Sequence, residues 1–592
     1  MQYTTTRPCR GSTRVDERGM ALLITLLALL LITSVSIVIS HVATSELALV
    51  GNYRAENQAF YAADGGAEHG LNQLLQIGRA RGSFPTAAEM AAIAGPAMAA
   101  TTFASFQVQA AGPQVTGTLV TGFYQGLVAI TQPFNVAATA ETTTVPRGRS
   151  SVSVTADFDI IPIFQFAIFY EEDLEILPGP NMLLNGRVHS NADIYIGSNS
   201  TLSIDSNVTA AGGIYNFRKN DGTAMPGNVT VRDAAGNFLA MAGLDSTDPD
   251  WVTDALDRWD GNVRSSEHDI ERLNLTIEDP TTPRKIIEPA APGDTQADQD
   301  AKMWYDADLR IVNDRGFDTA GNPVSLVDPL TGTSAIRNTV IFDQREQAFM
   351  LTTEVDMAKL GRTPGYPANG MVYVGGFEPG NGMPAWPGGG AGVGPAEWVG
   401  YDTPWAGTGT SEFAVKLTNG AELASRLTVI SDNPAYVQGN YNSVNKVGAA
   451  VIGDAVSILS NRWGDVDGDG TFDDDLAYSQ LPLNSRNAQS TTVNAALMMG
   501  NTDTEPGVRY NGGVENVLRF LERWSGDTLS YRGSIIDLWN SVHATGDWKY
   551  GSPIYTAPNR DWGFDTDFLD PANLPPGTPN VYTIRVIAWE RA

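Results

Sequence analysis

Apolar residues follow three rhythms along this chain, and each predicts a different kind of element. The first is an unbroken run: Met20 to Ser40 contains no charged side chain. As a helix rising 1.5 Å per residue it is about 30 Å long, enough to cross the hydrocarbon core of a bilayer. Beyond it the pattern becomes one-sided. Leu47, Val50, Phe60, Ala67, Leu71 and Leu74 recur at helical spacing, while Glu46, Arg54, Glu56, Asp64 and Glu68 take other faces. One long helix is predicted over 20–78, its membrane-crossing part at 20–40. Gly51 and Gly65-Gly66 are its weak points, where it can bend. Residues 79–111, rich in Ala and Gly from Gly82 on, read as a connector.

The second rhythm is alternation. Thr116–Gln125 leads through a turn or bulge at Gly126 into Leu127–Ala140, and Ser151–Asp159 has a period of two. After the aromatic run Phe164–Tyr170 comes the third rhythm, of short apolar pulses. Met182-Leu183-Leu184, Val188, Ile194-Tyr195-Ile196, Leu202, Ile204, Val208 and Ile214-Tyr215 are punctuated by Asn185-Gly186, Ser190-Asn191, Ser198-Asn199, Ser206-Asn207 and Gly212-Gly213. Short strands with such corners suggest coils of a parallel β-helix or comparable solenoid. A meander of hairpins is the rival, since Asn-Gly also makes hairpin turns.

The pulses return late, at Leu427–Ile430, Ala449–Ile452, Val456–Leu459, Val493–Met499 and Ser534–Trp539. Apolar on both faces and mostly β-branched, they fit buried parallel strands. The fold class predicted is mainly β (α+β): a long N-terminal helix, then a β-solenoid-like body. Its two β-rich parts are 112–216 and 421–592, with 217–420 as a mixed insertion. The insertion holds a helix at Trp251–Trp259, an Asp/Pro-rich loop at 278–299, strands at Leu309–Asn313 and Thr339–Asp343, and an irregular Gly-rich loop at 375–411. Val514–Trp524 reads as a short amphipathic helix covering the solenoid, Asp561–Pro571 as packed loop, and Tyr582–Trp589 as a closing strand.

A basic leader, residues 1–19, precedes the apolar run. Arg7, Arg10, Arg14 and Arg18 outweigh Asp16 and Glu17, which favours a cytoplasmic N-terminus with the rest across the membrane. A secretory signal is cut after its apolar region, where Ser40-His41-Val42-Ala43 offers a poor site. The better break is Gly19–Met20. Leader and helix together resemble type IV prepilins and pseudopilins, most closely the PilX-like minor pilins. The matching residues are Arg18-Gly19, Met20 to Ile24, Leu31-Ile32-Thr33, Val50 to Arg54 and Asn57 to Glu68, within roughly 14–75.

The resemblance implies cleavage after Gly19 by a membrane-embedded prepilin peptidase and methylation of the new terminus at Met20. It implies partnership with other major and minor pilins through the helix. The location it implies is the inner membrane with the ectodomain in the periplasm, then an extracellular pilus. One departure matters: most major pilins carry Glu at the fifth mature position, and here that position is Ile24. A carboxylate there neutralises a neighbour's amino terminus, whereas an unpaired buried charge is costly. In the resemblance, members lacking it are minor subunits, some of them at the tip.

Composition removes some functions. A net charge of −29 over 592 residues supplies no basic footprint for nucleic acid. The only cysteine, Cys9, lies in the leader, so the processed chain has no disulfide.

The strongest chemical motif is Asp465-Val466-Asp467-Gly468-Asp469-Gly470-Thr471-Phe472-Asp473-Asp474-Asp475. Alternating carboxylates converge on one side of a tight loop, and calcium takes six to eight oxygens. Asp465, Asp467, Asp469, Asp473 and the carbonyl of Thr471 are the candidate ligands. The twelfth position is Leu476 rather than Glu, so Asp473 or Asp475 must close the shell, and a true EF-hand is not expected. A solvated acidic turn is the alternative.

Catalysis finds little support. His41, His69, His189, His268 and His543 show no metal-ligand spacing, and no GK[ST] follows a glycine-rich stretch. His189-Ser190 is expected at a solenoid corner. The reading is a non-enzymatic minor pilin acting in type IV pilus assembly, at or near the tip. A secretion-system pseudopilin capping its filament is the alternative. A surface adhesin taking a surface or glycan ligand is another, and a β-helix polysaccharide-cleaving enzyme using acids such as Glu171-Glu172-Asp173 is less favoured.

Overall fold

The computed structural model describes residues 17–122, 124–275, 282–376 and 411–591. The leader as far as Asp16, with Cys9, and nearly all of the Gly-rich stretch expected at 375–411 lie outside these residues. Helix α1 (Glu17–Arg81) is continuous over 65 residues. From Gly19 to Val50 every side chain is exposed, Leu22 and Leu30 by two-thirds. Its threonine hydroxyls bond back to the helix. Thr25 donates to the carbonyls of Ala21 and Leu22, Thr33 to Leu29 and Leu30, and Thr44 to Ser40 and His41. Such back-bonding lets a hydroxyl lie in hydrocarbon without an unmet donor. Among the described residues this is the one helix long and apolar enough to cross a membrane.

The second half of α1 packs on an antiparallel sheet. Its strands are β1 (Thr101–Ala110), β2 (Val115–Thr118), β3 (Val128–Thr142), β4 (Arg149–Pro162), the closing strand Asn580–Arg591 and, on the outer side of that, the short strand Asn274–Leu275. The main order is β1-β3-β4-closing strand, with β2 on the start of β3. Ala62, Ala63, Ala67, Leu71 and Leu74 are buried against Val136, Val152, Val154, Ala156 and Phe158. The contact is close because glycines face the sheet. A Cβ on Gly66 would lie 2.5 Å from Phe103, on Gly70 2.6 Å from Val136, and on Gly78 2.3 Å from Phe158. Gly65-Gly66 is therefore a docking feature inside an unbroken helix rather than a break. The expected connector also changes character: it holds a short helix at Ala87–Ala92 and the whole of β1, which pairs along β3.

Between β4 and the closing strand the chain builds a β-rich body of several sheets. It opens with β5 (Ile168–Tyr170), β6 (Leu174–Ile176), β7 (Met182–Leu184), β8 (Val188–Ser190), β9 (Ile194–Ile196), β10 (Thr201–Ile204), β11 (Val208–Ala210) and β12 (Ile214–Tyr215). These strands pair in parallel, β8 between β5 and β11, β9 between β6 and β12, and β7 with β10. In the first ladder Ile168, Val188 and Val208 stand in register, each twenty residues after the last. Hairpins are excluded here, since hairpin neighbours run antiparallel. His189 lies inside β8, not at a corner.

Strand β5 then pairs in parallel with Ile535–Asn540, which joins both β-rich stretches in one 12-stranded sheet. Residues 217–420 do not stand apart from it. Leu309–Val312 and Met371–Gly375 are strands of that sheet, and Ile336–Asp343, Ala348–Asp356 and Ser411–Thr418 belong to a six-stranded one with Ala435–Gln438 and Val456–Leu459. No sheet closes on itself among the described residues. Trp251–Trp259 is a helix as expected, buried through Trp251, Ala255 and Trp259. Val514–Trp524 is not: it forms a 3₁₀ turn at Val514–Asn516 and a short strand at Arg519–Phe520.

Candidate functional site

The N-terminal site is a bare helix end. Gly19 lies in helical backbone, and a Cβ there would meet nothing within 4 Å. Met20 is 63% exposed and Ile24 62%. After Glu17 the next acid along the chain is Glu46, so the apolar segment carries no carboxylate. Where the helix reaches the sheet, polar contacts fix it. Trp589 Nε1 donates to Asp64 at 2.9 Å and Arg591 to Glu56 at 2.9 Å, with the Arg591 guanidinium over the Phe60 ring.

The acidic loop follows the buried strand Val456–Leu459 and turns at Gly468 and Gly470, both at positive φ (85° and 90°), which glycine adopts freely. Asp465, Asp467 and Asp473 come together: one carboxylate oxygen from each lies within 4.8 Å of the others. Asp465 is buried and accepts from the Arg462 guanidinium (3.0 Å) and from the amides of Gly468 (2.7 Å) and Gly470 (3.1 Å). Asp473 accepts from the amide of Val466 at 2.8 Å, and Asp467 from that of Asp469 at 3.1 Å. Asp469 turns away instead. It accepts from the amide (2.8 Å) and hydroxyl (2.6 Å) of Thr471, which hold its carboxyl below the usual range. Three of the four aspartates in the candidate set thus share one point, and Asp469 with Thr471 forms a separate turn.

Asp475 is unavailable as a closing ligand because the core has claimed it. It is fully buried and accepts from Lys416 Nζ at 2.7 Å, Trp463 Nε1 at 2.7 Å and Thr339 Oγ1 at 2.8 Å. Lys416, equally buried, also meets Glu354 at 2.6 Å, and Glu354 pairs with Arg337. Phe472 of the loop lies under both cations, 4.8 Å from Arg337 and 5.3 Å from Lys416. The loop therefore sits directly on a buried charge network.

A second buried acid adjoins it. Glu522 accepts from the amide and hydroxyl of Ser460 (2.7 and 2.8 Å) and from Tyr478 (3.3 Å). Burial pushes its carboxyl up to about 7, as it does that of Glu515. A carboxyl raised in the folded state binds its proton more tightly there than in the unfolded chain. Its stabilisation is complete below the ordinary Glu value and is lost as pH rises through about 7. Stability is expected to fall between pH 5 and 8, the Glu522 share being of order 3 kcal/mol. Glu522→Gln should remove that share in denaturant titrations at the two pH values. An unchanged pH dependence contradicts the assignment.

The catalytic alternative gains no geometry. His189 is fully buried, its ring nitrogens on Thr209 Oγ1 (2.8 Å) and Asn191 Oδ1 (3.0 Å), and burial lowers it to about 4. Ser190 Oγ donates to the carbonyl of Glu172. Glu171 binds Asn191 and Arg272, and Asp173 pairs with Lys219 at 2.8 Å.

Residues 18–68 match the family model of the PilX N-terminal region. No curated protein sequence matches the chain. Among solved structures it is similar to the competence-associated pilin ComZ from Thermus thermophilus, with 12% identity, 91% of this chain and 97% of that chain covered, and a TM-score of 0.26.

Proposed function

Starting from a type IV pilin-like chain with a PilX-type N-terminus, we propose that it is a minor pilin that works in pilus assembly at or near the filament tip. The observation that carries this is the helix from Gly19 to Val50, exposed all round and without a carboxylate. An apolar helix exposed on every side needs a bilayer or other helices around it. The mature chain is anchored in the inner membrane by this segment and leaves it for the extracellular filament. Without an acid at Ile24 it cannot neutralise the amino terminus of a neighbour, so insertion between ordinary subunits is disfavoured. Bulk acts the same way. Packed helices lie about 10 Å apart, and a body running from residue 163 to 579 cannot repeat at that spacing.

Immunogold labelling of sheared filaments should mark ends; regular decoration along the shaft overturns the tip reading. Ile24→Glu should raise internal incorporation if the missing carboxylate is limiting.

We read the body as β-solenoid-like, supported by the parallel ladders stepping by twenty residues in β5–β12. The acidic loop is proposed to hold calcium. Calcium–oxygen distances of 2.3–2.6 Å let oxygens of one shell lie up to about 5 Å apart, which the 4.8 Å grouping of Asp465, Asp467 and Asp473 satisfies. At a hundredfold excess over the dissociation constant, calcium should add about 2.7 kcal/mol of stability. Melts with calcium and with chelator test this. Identical curves, or a shift that survives Asp467→Ala, leave the loop a solvated turn.

A further inference from the structure

A cavity of about 550 Å³ opens where the turns following β6, β9 and β12 face the loops at 507–516 and 546–560. Its size lies within the range of small-molecule sites. Three aromatic rings line it: Tyr510, Trp548 and Tyr550. Trp548 is held in place before any ligand arrives. Its Nε1 donates to Tyr555 Oη at 2.9 Å, Tyr510 meets its ring edge-on at 5.3 Å, and Gly512, at φ +98°, leaves the room that a Cβ would take, 2.7 Å from the indole. The walls come from distant parts of the chain and are tied together. The amide of Gly507 donates to Asn220 Oδ1 at 3.1 Å, and that of Leu177 to buried Glu515 at 3.3 Å.

Polar groups converge on the same space with unused capacity. The Arg218 guanidinium and the Asn199 amide make no side-chain hydrogen bond to any described residue, and Tyr550 is 60% exposed. Arg218 brings only donors, whereas Asn199 and the Tyr550 hydroxyl offer both roles. Apolar ring faces beside mixed donors and acceptors match one ligand class in particular. A pyranose presents C–H faces to an aromatic ring and a rim of hydroxyls to polar side chains. The chain's net charge of −29 opposes polyanions, nucleic acid included.

We infer that this cavity is a carbohydrate site that takes a neutral oligosaccharide of pyranose units, stacked on Trp548 and Tyr550 and held by Arg218 and Asn199. The inference does not rest on the filament reading, and it needs no calcium.

The test uses the full chain in a detergent without a sugar headgroup, because a maltoside would itself compete. Cellohexaose, maltohexaose and chitohexaose are titrated separately to millimolar concentration and followed by tryptophan fluorescence and calorimetry. At least one is expected to bind saturably. Tyr550→Ala and Arg218→Ala should each weaken that binding by about tenfold or more, the loss expected for an aromatic platform or a charged hydrogen-bond donor. Tyr550 is mostly exposed and the half-buried Arg218 side chain makes no hydrogen bond to a described residue, so unchanged melting temperatures are expected and separate lost binding from lost fold. Val542→Ala, an exposed position outside the cavity, should bind as the parent does. Binding of none of the three sugars, or equal binding by parent and both variants, overturns the assignment.

Discussion

Gly19→Arg is expected to leave the whole population as uncleaved precursor in the inner membrane, with no incorporation into filaments. The change should be harmless to the chain itself, since a side chain at Gly19 meets nothing within 4 Å. Nor does the position adjoin the sheet, which α1 first reaches near Ala55. The expected effect therefore comes from outside the chain, from a processing enzyme whose cleft has little room for a side chain before the scissile bond. Mass spectrometry of the parent should give methylated Met20 as first residue, and of the variant a chain still carrying the leader. Gly19→Ala, the smallest possible addition, should be cut more slowly rather than not at all. A mature chain beginning near Ala43 contradicts the prepilin reading.

Asp475→Ala should have the largest effect on stability. The carboxylate and Lys416 are both fully buried, and removing one partner of such a pair leaves a charge without compensation. The usual cost is about 3–5 kcal/mol. Lys416 keeps Glu354 at 2.6 Å, which places the loss toward the lower end. Trp463 Nε1 and Thr339 Oγ1 also lose their acceptor. Denaturant titration of the variant measures the loss, and a change of under about 1 kcal/mol contradicts the pairing. The double replacement Lys416→Met, Asp475→Leu should recover only part of it, since it removes the uncompensated charge but leaves Glu354 to Arg337 alone and gives Trp463 Nε1 and Thr339 Oγ1 no acceptor.

The parts legible in the sequence are those with a local period. The charge-free run at 20–40 and the apolar stripe beyond it gave one helix, and the pulses at Val188, Ile194, Leu202 and Val208 gave strands placed as expected. The misses have a common origin in distant partners. Val514, Val517, Leu518 and Leu521 stand at helical spacing, yet Arg519 is drawn to buried Glu346 and Phe520 pairs with Ile458. Tertiary pairing there overrides the period. β1 was hidden for another reason: as an edge strand it is mostly exposed, so its apolar alternation is weak. In the acidic loop the aspartates were readable, but not their division of labour. Nothing local says that Asp475 belongs to Lys416, or that Asp469 turns back on Thr471. The carbohydrate cavity was invisible, since Arg218 and Trp548 meet only through the fold.

The ends of the β-rich body have a consequence for how such a chain can change. The body leaves the sheet at Pro162 and returns at Asn580, and those two residues are register partners on adjacent antiparallel strands. Exit and entry therefore lie side by side, as close as the two ends of a hairpin loop. Geometrically, the segment from 163 to 579 is inserted at one turn and touches the sheet again where Asn274–Leu275 pairs with Val581 and Tyr582 of the closing strand. A short turn in its place would leave the strand neighbours β3, β4 and Asn580–Arg591 and the face that holds α1. An unrelated domain whose own termini are close could be grafted at the same point. The sheet that holds α1 and the inserted body can thus diversify separately where the junction at Pro162 and Asn580, the pairing of Asn274–Leu275 with the closing strand and the Gln165–Val128 hydrogen bonds are kept.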